Sequence, residues 1–266
     1  MTNLQVLVAA MHQTDFSLVE KMNLKCDAII ANQTDHDSCN VRQYPFGSVQ
    51  MISTCTRGVG TNRNIALAAA DAEYVLFADD DVTYTDEMPQ LVISAFGAYP
   101  DADILIFGID YTKNGVVTER RRPGERRRRL WNSLRFGAAV TAVRLSAVRK
   151  RGVEFSTFFG GGCIYGSGED TLFIKECLSG GLKMYSTNAV LGRCSKDTSS
   201  WFTECNEKYF YDKGALMAYL FPRCRHAAAL YFAIRVKKHT DIPCPKRIKL
   251  MLAGVKGGER LEPYKP

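Results

Sequence analysis

The sequence predicts an α/β fold, and three observations carry the prediction. Short apolar runs of strand length recur through the first half, amphipathic stretches of helix length separate several of them, and one run ends in three aspartates, Asp79, Asp80 and Asp81. Runs that are apolar at successive positions, rather than at alternate ones, belong to strands buried on both faces, as in a mostly parallel sheet flanked by helices. Residues 6–10, 28–31, 50–54, 74–78 and 104–107 read as such strands, and residues 61–70 and 89–99 have the length and composition of crossover helices.

Later elements are read from their punctuation. The segment Arg120-Arg121-Arg122-Pro123-Gly124-Glu125-Arg126-Arg127-Arg128-Arg129 reads as a basic loop that cannot bury itself and as a boundary between halves. Residues 138–143 read as a strand. Gly160-Gly161-Gly162, then Ser167-Gly168-Glu169-Asp170, lead into a helix ending near residue 178, where Gly180-Gly181 supplies the stop. The last third is helical in pattern over 208–220, 226–237 and 246–252.

Composition narrows the class. With 266 residues, 46% of them hydrophobic, the chain builds a sizeable core in one large domain or two smaller ones. A net charge of +7 favours a polyanionic partner. Nine cysteines without a CxxC pair argue against a disulfide framework or a structural zinc site and for reduced thiols in a cytoplasm. The first residues lack the pattern of a secretory signal, and no run approaches the about 18 apolar residues of a membrane span. The expectation is a cytoplasmic protein that does not cross a bilayer.

The aspartates suggest chemistry. In extended geometry positions 79 and 81 share one face while 80 points elsewhere. Oxygen-only ligands suit a hard divalent ion, Mg2+ or Mn2+, which keeps several waters and takes further ligands from substrate phosphates. A metal-diphosphate substrate is one reading, and a solvated acidic turn is the other.

One helix before that strand stands Thr56-Arg57-Gly58-Val59-Gly60-Thr61-Asn62-Arg63-Asn64. The order of this segment, the apolar strand, Asp79-Asp80-Asp81, Gly160-Gly161-Gly162 and Gly168-Glu169-Asp170 resembles the inverting glycosyltransferases of family 2, over roughly residues 4 to 210. The resemblance implies a GT-A-like (Rossmann-like) catalytic domain over residues 1–210. Residues 211–266 are then a helical C-terminal extension, packed on that domain or on a membrane surface. It further implies a nucleotide-diphospho-sugar donor and a saccharide or lipid-linked saccharide acceptor. Asp79 is then near the ribose, and Asp81, with Asp79, holds the Mn2+ or Mg2+ that bridges the phosphates. Asp80, Arg57 and Arg63 lie at the donor, Asp170 is the base that activates the acceptor hydroxyl, and Glu169, Gly161, Gly162 and Trp131 lie at the acceptor. The setting it suggests is bacterial cell-surface polysaccharide synthesis at the inner face of the plasma membrane.

Several residues carry a second reading. Ser167-x-x-Asp170 also looks like a variant capping box, a role compatible with a base. The three glycines allow close backbone approach to a sugar or form a hinge. Trp131 and Trp201 are sugar-stacking platforms or core aromatics. The arginine segment suits a lipid-linked diphosphate or anionic membrane, a solvated charge run, or, without aromatic interleaving to support it, nucleic acid. Residues 246–252 and the helix around Tyr231 and Phe232 lie on a membrane or pack on the domain.

The chain departs from the family pattern twice. After the second strand it reads Asn32-Gln33-Thr34-Asp35 where paired acidic residues are usual, which makes Asn32, Gln33 and Asp35 the donor-base candidates through amide and carboxylate edges. Where many relatives supply a late histidine it reads Gly192-Arg193-Cys194-Ser195-Lys196-Asp197, and a cysteine is a poor partner for a hard cation. No third protein ligand is assigned, and His12, His36, His226 and His239 lack ligand-like spacing. The competing classes are a sugar-phosphate nucleotidyltransferase, which should open with a glycine-rich phosphate loop that residues 6–14 lack, and a non-enzymatic basic nucleic-acid or membrane-binding module.

Overall fold

The computed structural model describes residues 3–195, 205–236 and 240–265. Trp201, His239, Lys196 and Asp197, singled out in the sequence, lie outside the described residues. The chain divides into two compact units: residues 1–57, 61–155 and 173–199 form one, and residues 58–60, 156–172 and 200–266 the other.

The first unit is built on a mixed sheet. Its strands are β1 (Leu4–Met11), β2 (Asp27–Gln33), β3 (Ser38–Tyr44), β4 (Gly47–Thr54), β5 (Tyr74–Asp79), β6 (Val82–Tyr84), β7 (Ile104–Lys113), β8 (Val116–Arg121), β9 (Arg126–Arg128), β10 (Thr141–Arg144) and β11 (Met184–Ser195). The spatial order is β3-β4-β2-β1-β5-β10-β7-β11-β6, with β8 added to β7 and β9 to β11. The expected parallel core is β4-β2-β1-β5, while β10 runs antiparallel between β5 and β7. Each core strand sends alternate side chains to two separate apolar layers: Leu76 and Ala78 of β5 enter one, Val75 and Phe77 the other. Burial on both faces is why these strands read as continuous apolar runs.

Helices cover both layers. α1 (Ser17–Lys21) and α3 (Met88–Ala98) contribute Leu18, Val92 and Phe96 to one face. α2 (Val59–Ala69), α5 (Leu145–Arg151) and the later turns of α6 (Glu169–Ser179) contribute Ala66, Val148 and Phe173 to the other. Phe155 stacks on Phe173 at 4.2 Å between ring centres and meets the edge of Phe77 at 5.0 Å. Burying a ring of this size contributes about 1.5–3 kcal/mol.

Three sequence expectations are corrected here. Residues 138–143 are not one strand: Ala138–Val140 is a 3-10 turn, and β10 begins at Thr141. The arginine segment is not a boundary, because the first unit runs through it. Nor is it an unburied loop. Arg126–Arg128 pairs with β11, and Arg128 is 2% exposed, its Nε donating to Ser186 Oγ at 2.8 Å and its guanidinium lying 5.0 Å from the centre of the Phe136 ring. An arginine buries when its donors are met and its plane has a ring to cover.

In the second unit, α7 (Glu207–Leu220), α8 (Arg225–Arg235) and α9 (Cys244–Arg260) enclose an apolar cluster with Phe159, Tyr165 and Leu172. α9 continues well past residue 252, through Gly254, Gly257 and Gly258, because the glycines are needed for packing. A methyl at Gly254 would collide with the Tyr211 carbonyl of α7, and one at Gly214 of α7 with the Met251 carbonyl of α9. Ile248, Leu250, Met251 and Val255 pack inside this unit, which answers the membrane reading of residues 246–252 in favour of packing. Tyr231 of α8 is 64% exposed, whereas Phe232 packs inward. No helix among the described residues is long and apolar enough to cross a membrane.

Candidate functional site

The parallel strands β4, β2, β1 and β5 bring their carboxyl ends to one sheet edge, the position where open α/β sheets hold ligands. Asp79 is in register with Ala9, Ala9 with Ala31, and Ala31 with Ile52. β5 stops at Asp79, and Asp80 and Asp81 form a turn before β6. Strand alternation therefore does not extend to position 81, and the turn is what gathers the carboxylates. Burial raises the Asp80 carboxyl above the usual carboxylate range, opposed by Lys21 and reinforced by the Asp79 charge. Asp81 is raised by burial and then by the Asp79 charge.

Arg63 reaches this turn from the first turns of α2. Its Nη2 donates to Asp79 Oδ1 at 2.7 Å, with Arg63 2% exposed and Asp79 31% exposed. The guanidinium also lies 5.4 Å from the centre of the Phe155 ring. Asn64 fixes that ring's backbone from both sides, donating from Nδ2 to Phe155 O at 2.9 Å and accepting at Oδ1 from Phe155 N at 2.8 Å. Asn62 donates to the Ala10 and Ala31 carbonyls at 3.1 and 2.7 Å, so the Asn62-Arg63-Asn64 triplet ties α2 to the strand ends.

The late motif arrives as a strand. Cys194 of β11 pairs with Val82 of β6, and its Sγ donates to Asp81 Oδ2 at 3.4 Å. Burial and the Asp81 charge push the thiol up to about 12, so it is a neutral donor here. Tyr84 is 3% exposed, its hydroxyl has no hydrogen-bond partner among the described residues, and burial and the charge of Asp79 raise it well above the phenol range. Neither the thiol nor the phenol was assigned from the sequence. The contact between residues 81 and 194 is too distant along the chain to leave a local pattern.

Asn32 is fully buried, and its amide is engaged at both ends: Nδ2 donates to Gln13 O at 2.9 Å and Ser53 Oγ at 3.0 Å, and Oδ1 accepts from Gln13 N at 2.9 Å. It holds the loop after β1, in which His12 adopts φ +55°. Gln33, 5% exposed, ends β2. Asp35 lies just beyond, on the surface, where hydrogen bonds from His36 and Thr34 lower its carboxyl. Arg57 donates to the Thr34 carbonyl at 2.9 Å, bridging the segments after β2 and β4.

In the second unit, the glycine-rich segment and the start of α6 adjoin. Val59 N donates to Gly161 O at 2.9 Å, and Gly162 lies against Gly58. Gly160 has φ +112°, and a methyl there would strike Val59 and the Glu169 carboxylate, so its lack of a side chain serves packing within this unit. Glu169, 3% exposed, accepts from Gly168 N at 3.1 Å. The capping-box expectation is corrected. Ser167 precedes the cap position and its Oγ accepts from Lys213 Nζ at 3.0 Å, while Gly168, at φ +127°, offers its carbonyl to Leu172 N. Burial lowers the Lys213 ammonium, and Glu169 and Asp212 raise it. Asp170 is half-buried in the first turn of α6. Trp131 belongs to α4 (Leu130–Ser133) of the first unit and is 80% exposed, which excludes a core role.

Among the described residues no group of three or more His, Cys, Asp or Glu side chains is placed to hold a metal ion. The acidic turn nevertheless suits one by its chemistry. Two half-buried carboxyls, raised first by burial and to a lesser degree by the Asp79 charge, are suited to a hard cation that completes its shell with water and phosphate oxygens.

A family model described as glycosyl transferase family 2 matches residues 17–154. No curated protein sequence matches the chain. Residues 1–349 of TarS from S. aureus, solved in complex with UDP-GlcNAc, are similar at a TM-score of 0.58 and 13% identity, over 98% of this chain and 73% of that one. The same fragment with UDP gives 0.57 at 14% identity, over 96% and 71%. The mannosyltransferase PcManGT from Pyrobaculum calidifontis, in complex with GDP-Man and Mn2+, gives 0.50 at 14% identity, over 97% and 87%. At these identities the likeness is one of fold, and it places the α/β architecture among GT-A glycosyltransferases.

Proposed function

The chain belongs to glycosyl transferase family 2, whose model covers more than half of its 266 residues, and from this premise we propose that it is a metal-dependent inverting glycosyltransferase that moves a sugar from a nucleotide-diphospho-sugar to a hydroxyl acceptor. The observation that carries the reading is the Arg63–Asp79 ion pair beside the Asp80-Asp81 turn, at the carboxyl edge of the parallel strands. Neighbours of the same fold were solved with UDP-GlcNAc, UDP, and GDP-Man with Mn2+, which supports a nucleotide-sugar donor.

In this reading Asp81, with Asp79, would hold Mn2+ or Mg2+. The ion supplies Lewis-acid stabilisation of the departing nucleoside diphosphate in place of its protonation. Arg63 fixes the Asp79 carboxylate, and the Cys194 thiol steadies Asp81 by donating to it without adding charge. Arg57, Gln33 and Asp35 border the nucleotide. Asp170 takes the proton from the acceptor hydroxyl, and Glu169 with Gly161 and Gly162 shapes the acceptor side. Residues 1–210 form the catalytic domain and 211–266 the extension. Cell-surface polysaccharide assembly at the inner face of a membrane is the setting, with the exposed Tyr231 side of α8 available to lipid.

The test is turnover. Release of UDP from UDP-GlcNAc, or of GDP from GDP-Man, is followed with saccharide acceptors in Mn2+ and in EDTA. Metal-dependent release with a β product from an α-linked donor supports the reading, and metal-independent release or retention counts against it.

A further inference from the structure

The arginine segment, which the transferase reading leaves unused, forms a pocket. A cavity of about 380 Å³ in the first unit is lined by Arg127, Arg128, Arg129 and Lys183, with Leu130 and Ser179 completing its wall. Lys183 pairs with Asp101 at 3.3 Å. None of the three arginines has a carboxylate partner among the described residues, although Arg128 is 2% exposed. Arg128's own burial is met by Ser186 Oγ, the Pro123 carbonyl and the Phe136 ring, so it is the gathering of like charges around one cavity, with Arg127 and Arg129 exposed, that favours an anion there. The adjacent helix end is no obstacle, since the N–H groups of Gly180, Gly181 and Leu182 cap the carbonyls of Glu176, Leu178 and Cys177.

The pocket is not part of the acidic turn. Arg128 is in register with Met184, Met184 with Ile104, Ile104 with Val143, and Val143 with Val75, so it is level with the start of β5, whereas Asp79 ends that strand. Four residues along and four strands across put the two sites roughly 13 Å and 19 Å apart in those directions. The volume is near the lower end of ligand pockets and exceeds what a bare phosphate needs. Next to the pocket-lining Leu130 stands Trp131, 80% exposed, a surface for the apolar face of a sugar ring.

We propose that this pocket is a second binding site, for the phosphate ester of a phosphorylated saccharide, with the phosphate among the arginines and the sugar against Trp131. Guanidinium forks suit phosphate oxygens. The site neither takes part in nor depends on sugar transfer.

The experiment is calorimetric titration of the full chain with glucose 6-phosphate in EDTA and no nucleotide, which leaves the donor reading out of the measurement. The expected result is binding that weakens about tenfold or more in Arg127→Gln/Arg129→Gln and weakens also in Trp131→Ala, with inorganic phosphate bound less tightly and glucose not at all. No binding by the wild type, or equal binding by the double variant, overturns the proposal. So does sedimentation with phosphatidylglycerol vesicles, or duplex DNA binding, in the absence of sugar-phosphate binding. Those outcomes would assign the arginines to a lipid surface or to nucleic acid.

Discussion

Separating Arg63 from Asp79 should cost stability in an amount that the geometry sets. Opposite charges with centres about 4 Å apart attract by about 4 kcal/mol at an effective dielectric of 20. Arg63 is 2% exposed but Asp79 is 31% exposed, so water screens one partner and about half of that attraction survives. Arg63→Met keeps the buried stem over Phe155 and leaves an acid that reaches water, for a loss of about 2 kcal/mol. Asp79→Asn keeps the shape of the bond but removes the acid's charge from it and should lose about 3 kcal/mol, at the lower end of what breaking a buried pair costs. In the double variant the two losses should overlap, giving a coupling of about 2 kcal/mol, measured by urea unfolding of all four proteins. The corresponding fall in Tm for Arg63→Met is about 4–8 °C. Losses that add to within about 0.5 kcal/mol would show that the pair carries no net interaction, and the claim that Arg63 holds Asp79 in place would fail.

Asp170→Asn should bind nucleotide sugar as the wild type does while transfer falls about 10²- to 10⁴-fold, the range for loss of a general base; unchanged turnover removes Asp170 from the proposed mechanism. Gly254→Ala should lower stability by about 1–3 kcal/mol despite alanine's better helix propensity, because the added methyl forces α9 away from the Tyr211 carbonyl. A thermal melt at or above that of the wild type would contradict the close helix approach. Burial pushes the Cys177 thiol up to about 12, against about 8.5 in an unfolded chain, so the folded state keeps its proton longer. The stability this contributes is complete below about pH 8.5 and is lost as pH rises toward 12, at up to about 1.4 kcal/mol per pH unit, and Cys177→Ala should flatten that alkaline slope. An identical pH profile in the variant would argue against a buried neutral thiol.

How much of this could be read from the sequence depends on where each side chain points. β1, β2, β5 and β7 were legible because burial on both faces makes a strand largely apolar, and β4, buried at alternate positions, was legible through Met51 and Ile52. β3, with Asn40 and Arg42 exposed at the sheet edge, and β8, which reads VVTERR with its charges outward, carry no such signal. β11 was missed because its register shifts between Ser186 and Arg193 and because Asn188, Gly192 and Arg193 interrupt the pattern. The acidic turn was visible as a strand terminus, but its geometry was not, since the chain turns at Asp80 instead of continuing the alternation. Two of its side-chain partners come from distant segments, Arg63 from α2 and Cys194 from β11. Composition suggested that the arginines stay in solvent, and only the pairing of β9 with β11 reveals that Arg128 is inside.

The central claim is that the Asp79-Asp80-Asp81 turn binds a divalent ion together with a nucleoside diphosphate. Calorimetric titration of UDP and of GDP into wild type and Asp81→Ala, each with Mn2+ and with EDTA, addresses it most directly. The account predicts Mn2+-dependent binding of at least one nucleotide by the wild type, and a loss of about tenfold or more in the variant without a change in its thermal melt. Equal affinity in the two proteins, or binding that ignores the metal, would contradict it.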